Sequence, residues 1–482
     1  MMKPARVDDA VLAGLDPLAL LARWPQRYPA LLESSAQNPA TGRHDLLPIA
    51  DGRCLALGAD GLVRDQDGRD LGRDFGAALD AAWQAQQPDP VAPVARLASV
   101  AADTSSAMAP TMAQGAGFSG GWLLYLGYET AAQFEPGLDL PAFDETTLPV
   151  ALAIRTPAVW LRDRITGHVR CLAEPGHRHL IDRLRADVQA LVGVPETSPS
   201  PPSPAIPDSI DEDDPACFLA GVERILEYLQ AGDVFQVNLS RGWRAAFATA
   251  PDPVALYRRL RQLGPAPFSA LLRWQGSSIL SASPERLLRV RGERIETRPI
   301  AGTRPRGRDA DQDRALREQL LAHPKERAEH VMLIDLERND LGRICQPGSV
   351  VVDEMMILES YAHVHHIVSN VAGRLQPGTT PGAILRALFP GGTITGCPKV
   401  RCMQIIAELE GTGRGPYTGA IGWLGHDGDM DLNILIRSAW LHGTGMGFRT
   451  GAGIVVDSVP AQELAETRTK AAGMLALLGA QT

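Results

Sequence analysis

Cysteine is scarce in this chain of 482 residues, and its six cysteines follow no functional spacing. No two of them form a CxxC pair, and their separations match no set of metal ligands. None stands in a Gly-x-Cys-x-Gly context, the setting of a nucleophile at a sharp strand-to-helix turn. We therefore expect a reduced, intracellular protein without a disulfide framework.

Long apolar runs and an excess of positive charge are also absent. No window approaches the roughly 18 uninterrupted apolar residues that a membrane-spanning helix needs, and Asp8, Asp9 and Asp16 interrupt the N-terminal segment. The formal net charge of −9 disfavours nucleic acid and anionic membranes as partners. These absences predict a cytoplasmic protein that binds neither nucleic acid nor a membrane.

The composition present, 45% hydrophobic and 21% charged, is that of a globular protein large enough for two or three packed units. A stretch rich in proline, serine and aspartate, 195–215, is unable to bury enough apolar surface to pack and is interpreted as a linker. It separates an N-terminal α+β region, 1–194, which we expect to pack on the remainder, from a part, 216–482, that carries every candidate motif.

Strand patterns dominate the part after the linker, and turns rich in glycine, proline, aspartate or histidine join them. Phe268–Trp274, Ser278–Ala282 and Met430–Trp440 are typical of strands connected as hairpins. Helices are predicted at both ends, from Cys217 and from Pro460. The sequence therefore predicts an α+β fold in which large antiparallel sheets, arranged like a sandwich, are flanked by helices.

The segment 299–306, PIAGTRPR, is cationic and constrained in its backbone. Pro299 and Pro305 fix φ, while Gly302 permits angles that a side chain forbids. In the resulting stiff loop, the amides of Gly302 and Thr303 could face a carboxylate or a polar ring. A structural turn explains this segment alone equally well.

Two predicted helices carry paired glutamates. The pairs are Glu326 with Glu329, and Glu463 with Glu466, the second followed on the same stripe by Lys470. Either pair alone is more often a solvated face. Two such pairs without a His or Cys cluster fit magnesium, in which one glutamate per helix binds directly and the others hold waters.

Arg437 and His366 lie in apolar, strand-like runs. An arginine is costly to bury without an anionic partner, so Arg437 suggests a carboxylated ligand. His366 is more often a satisfied core histidine, although imidazole is also the usual general acid near neutral pH. The glycine-rich segments 389–399 and 451–453 accompany them, and each could be only a turn.

Six motifs together resemble those of the chorismate-utilising enzymes, the family of anthranilate synthase component I, aminodeoxychorismate synthase component I, isochorismate synthase and salicylate synthase. They are FQVNLS, SASPERL, PIAGTRPRG, ERAEHVMLIDLERNDLGRI, FPGGTITGCPKVR and GAGIVVDSVPAQELAETRTKA, and they span roughly 216–476. The resemblance implies the fold of anthranilate synthase component I, with 216–482 as a catalytic domain that binds chorismate and Mg²⁺.

The resemblance also implies a role for each candidate residue. Glu329 and Glu466 would bind the metal, while Glu326 and Glu463 would hold its waters. Tyr417 and Arg437 would take the enolpyruvyl carboxylate, supported by the amides of Gly451 and Gly453, and Gly302 and Thr303 would face the ring. His366 would protonate the departing C4 hydroxyl, Lys470 would balance the acidic cluster, and Lys399 would join Lys470 in the substrate-binding set.

The residue type at position 236, Gln236, indicates which nucleophile to expect. Family members that add water typically carry lysine at this position, so a water-activating base is missing and ammonia is the better candidate. Ammonia in this family comes from a glutamine amidotransferase. Because this chain lacks such a cysteine site, we expect a separate amidotransferase subunit.

Ala301 and the surrounding motifs disagree about the product. Aminodeoxychorismate synthases often carry at this position a lysine that bonds covalently to the ring, whereas anthranilate synthases resemble this chain. The segments at 266–270, 364–366 and 389–396 favour the first enzyme, which makes 4-amino-4-deoxychorismate for 4-aminobenzoate and folate synthesis. We therefore expect that activity without the covalent lysine; anthranilate synthesis, for tryptophan, is the alternative.

Two further expectations complete the sequence interpretation. Leu31–Ser34, LLES, resembles the segment that forms the tryptophan-feedback pocket of anthranilate synthases, and we expect a retained but unresponsive pocket. A noncatalytic chorismate-binding protein is a remote alternative, which the four intact glutamates oppose.

Overall fold

The computed structural model describes residues 12, 14–35, 43–86, 117–192, 206–360 and 364–480. Its helices are α1 (Pro17–Arg23), α2 (Phe75–Gln84), α3 (Ala131–Phe134), α4 (Arg178–Val192), α5 (Pro215–Ala231), α6 (Pro253–Leu263), α7 (Ala310–Ala322), α8 (Pro324–Gly342), α9 (Pro381–Leu388), α10 (Lys399–Glu410) and α11 (Pro460–Leu477). Its strands are β1 (Ala30–Glu33), β2 (His44–Ile49), β3 (Cys54–Leu57), β4 (Val63–Asp65), β5 (Gly121–Leu126), β6 (Ala151–Thr156), β7 (Ala158–Asp163), β8 (Val169–Ala173), β9 (Ser209–Glu212), β10 (Gln236–Ala246), β11 (Phe268–Trp274), β12 (Ser277–Ser283), β13 (Arg286–Arg291), β14 (Arg294–Thr297), β15 (Ile300–Pro305), β16 (Val351–Ser360), β17 (Val364–Arg374), β18 (Gly396–Cys397), β19 (Ala420–Gly425), β20 (Met430–Asn433), β21 (Ser438–His442) and β22 (Gly445–Ile454).

The strands in the described residues form two antiparallel sheets. Sheet 1 runs in the order β18, β10, β22, β21, β12, β11, β1, β2, β7, β8, with β9 paired to β10. Sheet 2 runs β15, β17, β14, β13, β20, β19, β5, β6, β3, β4, with β16 paired to β17. The expected packing of the N-terminal region on the remainder takes the form of shared sheets, since β1 pairs with β11 and β5 with β19.

Alternation along the strands divides the apolar side chains between a core inside the sandwich and cores outside it. Leu32 and Leu272 of sheet 1 meet Leu123 and Ile421 of sheet 2 in the inner core. Their neighbours Leu31 and Leu271 belong instead to a core with α1, α4, α6 and α11. Because successive strand residues point to opposite faces, each sheet is covered on both sides, which confirms the α+β prediction.

The helix ends follow local sequence signals. Helix α5 begins with Asp214, which accepts from the Ala216 amide at 2.9 Å, and ends at Gly232 with φ of +79°, as the glycine signal predicts. Helix α11 has Pro460 in its first turn, but its N-cap is Val459. The hydroxyl of Ser458, one residue earlier, accepts from the Val455 amide at 3.1 Å and does not cap the helix.

Two stretches with strand-like sequences, Val150–Trp160 and Met430–Trp440, are each divided between the sheets. Pro157 separates β6 in sheet 2 from β7 in sheet 1, since proline has no amide for the ladder. Residues 434–437 likewise separate β20 in sheet 2 from β21 in sheet 1, and Arg437 has φ of +49°. Arg437 therefore lies in a crossing between the sheets, and the expectation that it lies inside a strand is wrong.

The predicted linker is described from residue 206 onward. There, Ser209–Glu212 forms β9, which pairs with β10 through Ala246 and Trp243. The expectation that 195–215 forms no packed element is wrong for these four residues, because the free edge of β10 supplies hydrogen-bond partners that composition alone does not reveal. The boundaries at 194 and 216 stay a prediction.

None of the helices described here combines the length and the apolar character needed to cross a membrane.

Candidate active site

The segment 299–306 is largely a strand, β15, and not the stiff loop expected from its prolines. It pairs with β17, with Ala301 opposite Ile367 and Thr303 opposite His366. The register shifts between Ala301 and Thr303, where Gly302 has φ of +73°. Glycine adopts that angle without steric cost. The bulge allows a segment flanked by prolines to pair as the terminal strand of the sheet.

This pairing brings Gly302, Thr303 and His366 together. The Thr303 hydroxyl lies 2.9 Å from Nδ1 of His366, and the Gly302 carbonyl oxygen lies 3.4 Å from the same atom. His366 is 3% exposed. Burial, followed by the positive charge of Arg437, lowers the pKa of His366 to about 4. The free protein therefore holds this imidazole neutral at pH 7.

Gln236 connects the two sides of the site. It is 3% exposed, whereas Phe235 beside it is 68% exposed, so this polar side chain points away from water. The Nε2 of Gln236 donates to Oε1 of Glu329 at 3.2 Å. It also fills the space that a Cβ on Gly453 would occupy. The amide of Gln236 thus spans from β22 to the glutamate pair on α8.

Gly451 and Tyr417 are in direct contact. A Cβ built on Gly451 would lie 2.8 Å from the Tyr417 hydroxyl and 2.7 Å from Oδ1 of Asn238, closer than side chains pack. Tyr417 is 4% exposed. Burial raises its pKa to about 12, against the opposing charge of Arg414. At neutral pH the hydroxyl keeps its proton and is able to donate it to an anion.

Lys470 joins the second glutamate pair to the surface formed by Gly451 and Tyr417. Its ammonium donates to the Gly451 carbonyl at 2.9 Å and pairs with Glu466 at 2.7 Å. Glu463 lies one turn earlier on α11 and is partly buried. The lysine lies one helical turn after Glu466, so the spacing in sequence predicts this ion pair.

The first glutamate pair contacts the segment around Gly302. Arg304 donates to Glu326 at 3.0 Å, and Oε2 of Glu326 lies 2.7 Å from where a Cβ on Gly302 would stand. Among the described residues, no three His, Cys, Asp or Glu side chains are grouped as a protein-only metal site requires. The metal roles of the four glutamates stay a prediction.

Glu285, in the SASPERL motif, received no role from the sequence although it lies beside Arg437. It is 6% exposed and accepts from the Thr393 hydroxyl at 2.8 Å. Burial raises its pKa to about 7, opposed by Thr393 and Arg437. Desolvation by surrounding protein atoms lowers the pKa of Arg437, although part of this side chain is accessible to solvent. The sequence signal that could have pointed to Glu285 is a carboxylate placed between strand-like apolar runs.

Lys399, predicted to bind substrate, forms an ion pair with Asp340 in which both side chains are nearly buried. Its ammonium also lies 3.4 Å from the Leu388 carbonyl. Burial, followed by the charge of Asp340, raises the pKa of the neighbouring Glu337 to about 8, while Lys399 opposes the shift. The substrate role of Lys399 stays a prediction.

The segment Leu31–Ser34 borders a cavity of about 140 Å³ between the sheets. Leu32 and Glu33 line it together with Phe268 and Trp423. Glu33 is 3% exposed and accepts from the Tyr257 hydroxyl at 3.0 Å. The cavity agrees with a retained pocket, while tryptophan binding stays a prediction.

The family model for chorismate binding enzymes matches residues 62–476, most of the chain. The chain belongs to the chorismate-binding enzyme family. It is a chorismate-binding enzyme of the aminodeoxychorismate synthase and anthranilate synthase type, and the resemblance seen in its six motifs is confirmed.

Similar proteins include both types of synthase. Aminodeoxychorismate synthase component 1 of Bacillus subtilis is 42% identical over 369 residues, covering 74% of this chain and 76% of the relative. Anthranilate synthase component 1 of Pseudomonas putida is 40% identical over 371 residues, covering 74% of each. The crystal structure of anthranilate synthase component I from Streptococcus pneumoniae is 28% identical, covers 99% of this chain and 100% of that one, and has a TM-score of 0.76. The fold is therefore that of anthranilate synthase component I.

Proposed function

We propose that this chain is component 1 of an aminodeoxychorismate synthase that acts in the cytoplasm. It would replace the C4 hydroxyl of chorismate by ammonia, releasing one water and forming 4-amino-4-deoxychorismate for 4-aminobenzoate and folate synthesis. The amidotransferase partner that supplies ammonia is part of the proposal, in keeping with relatives that are named as component 1.

The environment of Gln236 carries the choice of ammonia over water. A buried primary amide has no basic atom at neutral pH, and this one donates to Glu329 at 3.2 Å. A side chain of this kind is unable to deprotonate water. Ammonia needs no such activation because its lone pair is free in the neutral form.

The substrate carboxylate has a cradle of donors available. The Tyr417 hydroxyl retains its proton, and Arg437 carries a positive charge on a solvent-accessible side chain. Gly451 and Gly453 lack the side chains that would displace Tyr417 and Gln236, and their amides would support the same carboxylate. In this proposal these groups bind the enolpyruvyl carboxylate and orient the ring.

His366 and Glu285 are the candidates for moving protons. Binding of a carboxylate beside Arg437 would cancel the positive charge that lowers the pKa of His366, although burial remains the larger cause. Glu285, with a pKa of about 7, is partly protonated at neutral pH without substrate. We propose that Glu285 shares with His366 the protonation of the leaving C4 hydroxyl, a contribution worth about 10²–10⁴-fold.

Magnesium belongs to the proposal on the chemistry of its donors. Mg²⁺ retains several waters and accepts one or two carboxylates together with substrate oxygens, so it needs no cluster of three protein ligands. Glu329 and Glu466 would bind it, and Glu326 and Glu463 would hold its waters. The metal would neutralise the ring carboxylate of chorismate; the protein groups above would bind the enolpyruvyl carboxylate, orient the ring and move the proton.

Product analysis tests the function. Purified protein with chorismate, Mg²⁺ and ammonium salt is expected to give an aminated product that becomes 4-aminobenzoate only after a lyase is added. Direct formation of fluorescent anthranilate would contradict the proposal. No aminated product, even with an amidotransferase subunit present, would favour the noncatalytic alternative.

Anthranilate synthesis is the second candidate because position 301 is alanine. A methyl group is unable to attack the ring, so no lysine-bound intermediate forms at this residue. Four lysines occur in the chain, at positions 3, 325, 399 and 470, so mass spectrometry of enzyme trapped with chorismate would assign any adduct. A ring adduct on one of them would overturn the noncovalent route.

A further inference from the structure

A triad of charged side chains, Glu410 between Arg414 and Arg449, is buried beneath the proposed carboxylate cradle. The side chains of Glu410 and Arg414 are each 1% exposed, and that of Arg449 is 4% exposed. Glu410 lies 2.6 Å from Nη2 of Arg414 and 2.9 Å from Nη2 of Arg449. None of the six motifs contains Glu410 or Arg414.

The triad ties together the segments that carry the cradle. Oε1 of Glu410, at the end of α10, accepts from the amide and the hydroxyl of Ser240 on β10, both at 2.8 Å. The Ser240 hydroxyl in turn accepts from Nε of Arg449 on β22 at 3.0 Å. Arg414 donates to the Asn238 carbonyl at 2.7 Å. One carboxylate thereby links a helix, two strands and the loop before Tyr417.

One of the linked arginines contacts the cradle, and the other lies on the strand that carries its glycines. The guanidinium carbon of Arg414 lies 5.6 Å from the ring centroid of Tyr417, within the range of a cation–π contact. Arg449 stands two residues before Gly451 on the same strand, where Asn238 and the Tyr417 hydroxyl occupy the space of a missing Cβ. A shift of either arginine therefore moves a surface that receives substrate.

Stability alone does not explain three buried charges. Burial by itself would raise the pKa of Glu410, and the two guanidinium groups together hold it below its ordinary value. Replacing such a group with apolar residues is often neutral or stabilising, whereas removing one member leaves a buried charge uncompensated. The arrangement fits a group that fixes the relative position of the segments it joins.

We propose that Glu410 is a positioning residue for substrate binding: it holds Arg414 and Arg449, and through them Tyr417 and the strand of Gly451 and Gly453, in the arrangement that receives the chorismate carboxylate. This inference rests on the proposed assignment of Tyr417 and these glycines to that carboxylate. The cradle contacts ground state and transition state alike, so its loss raises KM more than it lowers kcat.

The test is chorismate binding by Glu410→Gln, measured calorimetrically with Mg²⁺ and without ammonia, together with KM and kcat. We expect the Kd and KM for chorismate to rise about tenfold or more, with kcat per folded molecule changed less than about threefold. Glu174→Gln is the matched control. It breaks another buried pair, in which Arg155 donates to Glu174 at 2.7 Å, on the N-terminal side of the sheets.

A lower melting temperature in both variants with an unchanged Kd in Glu410→Gln would overturn the proposal, because it would show a structural role alone. If Glu410→Gln does not fold, chorismate binding by Ser240→Ala tests the proposal instead. This substitution removes the hydroxyl between Glu410 and Arg449 without creating an unpaired charge. We expect a weaker Kd there too; a wild-type Kd would refute the positioning role. The readout is binding, so a different reaction product would overturn the proposed function and leave this inference standing.

Discussion

At the scale of single residues, the most unusual feature is the set of buried acids near the substrate site. Glu337 is 7% exposed, and its pKa is raised from 4.5 to about 8 by burial and by Asp340. The folded protein therefore binds a proton that the unfolded chain releases near pH 4.5. Its favourable contribution is fully present below that pH and is lost as the pH rises through about 8.

Glu337→Gln, which mimics the protonated acid, is expected to match the wild type in stability at pH 5 and to exceed it at pH 9, by on the order of 1–3 kcal/mol. Thermal unfolding followed by circular dichroism across this pH range would measure the difference. Glu318→Gln on the exposed side of α7 controls for the loss of one carboxylate. Parallel pH curves for wild type and Glu337→Gln would contradict the assignment.

Ala301→Lys tests whether the site tolerates the lysine that it lacks. Ala301 is 7% exposed, and the Ile300 amide beside it hydrogen-bonds to Glu285, so a carboxylate is available to the new ammonium. We expect turnover to remain within about tenfold of the wild type, with Ala301→Met as the uncharged control of similar length. Complete loss of activity in Ala301→Lys alone would count against an aminodeoxychorismate synthase that works without lysine.

At the scale of elements, β22 shows how one strand combines support and recognition. It contributes Phe448 to an apolar core and Gly451 and Gly453 to the proposed cradle. Both positions require glycine, because neighbouring side chains occupy the volume that a Cβ would fill.

Gly451→Ala is therefore expected to weaken chorismate binding more than about tenfold, since the added methyl meets the Leu239 carbonyl at 2.7 Å as well as Tyr417. Gly445→Ala in the same strand is the matched control: its Cβ would find only the His442 carbonyl, at 3.5 Å. Titration calorimetry would separate them, and equal affinities in the two variants would contradict the cradle.

The elements also show what sequence patterns predict and what they leave open. β11 has the predicted ends, because a run of seven residues between turn signals sets them locally. The Pro157 and Arg437 crossings were not predicted, since alternation reports a buried face without reporting which sheet buries it. Glu285 was missed because its surroundings are formed by Thr393 and Arg437, which are distant in sequence. The family motifs supplied the other site residues, which spacing alone would have left as separate turns and solvated faces.

At the scale of the whole molecule, the two sheets make the regions before and after the linker interdependent. Removing the N-terminal region would expose the edges of β11 and β19, whose side chains are mostly buried. Long apolar edges of this kind favour aggregation.

A fragment of residues 216–482 is accordingly expected to lack cooperative unfolding and to remain in the insoluble fraction, although it contains all six motifs. Expression of the fragment beside the full chain, followed by thermal unfolding of any soluble material, would check this. A soluble fragment that unfolds cooperatively and binds chorismate would show that the N-terminal region is dispensable.

The shared sheets also constrain how the protein is made on the ribosome. Leu31 and Leu126 emerge early, but their strand partners, Leu271 and Ala420, are translated only much later. Until then, β1 and β5 each present an unpaired backbone edge to solvent, in a chain whose non-local pairing already slows folding. The growing polypeptide therefore depends on whatever shields those two strands during translation, and its yield should respond to chaperone supply and to elongation speed.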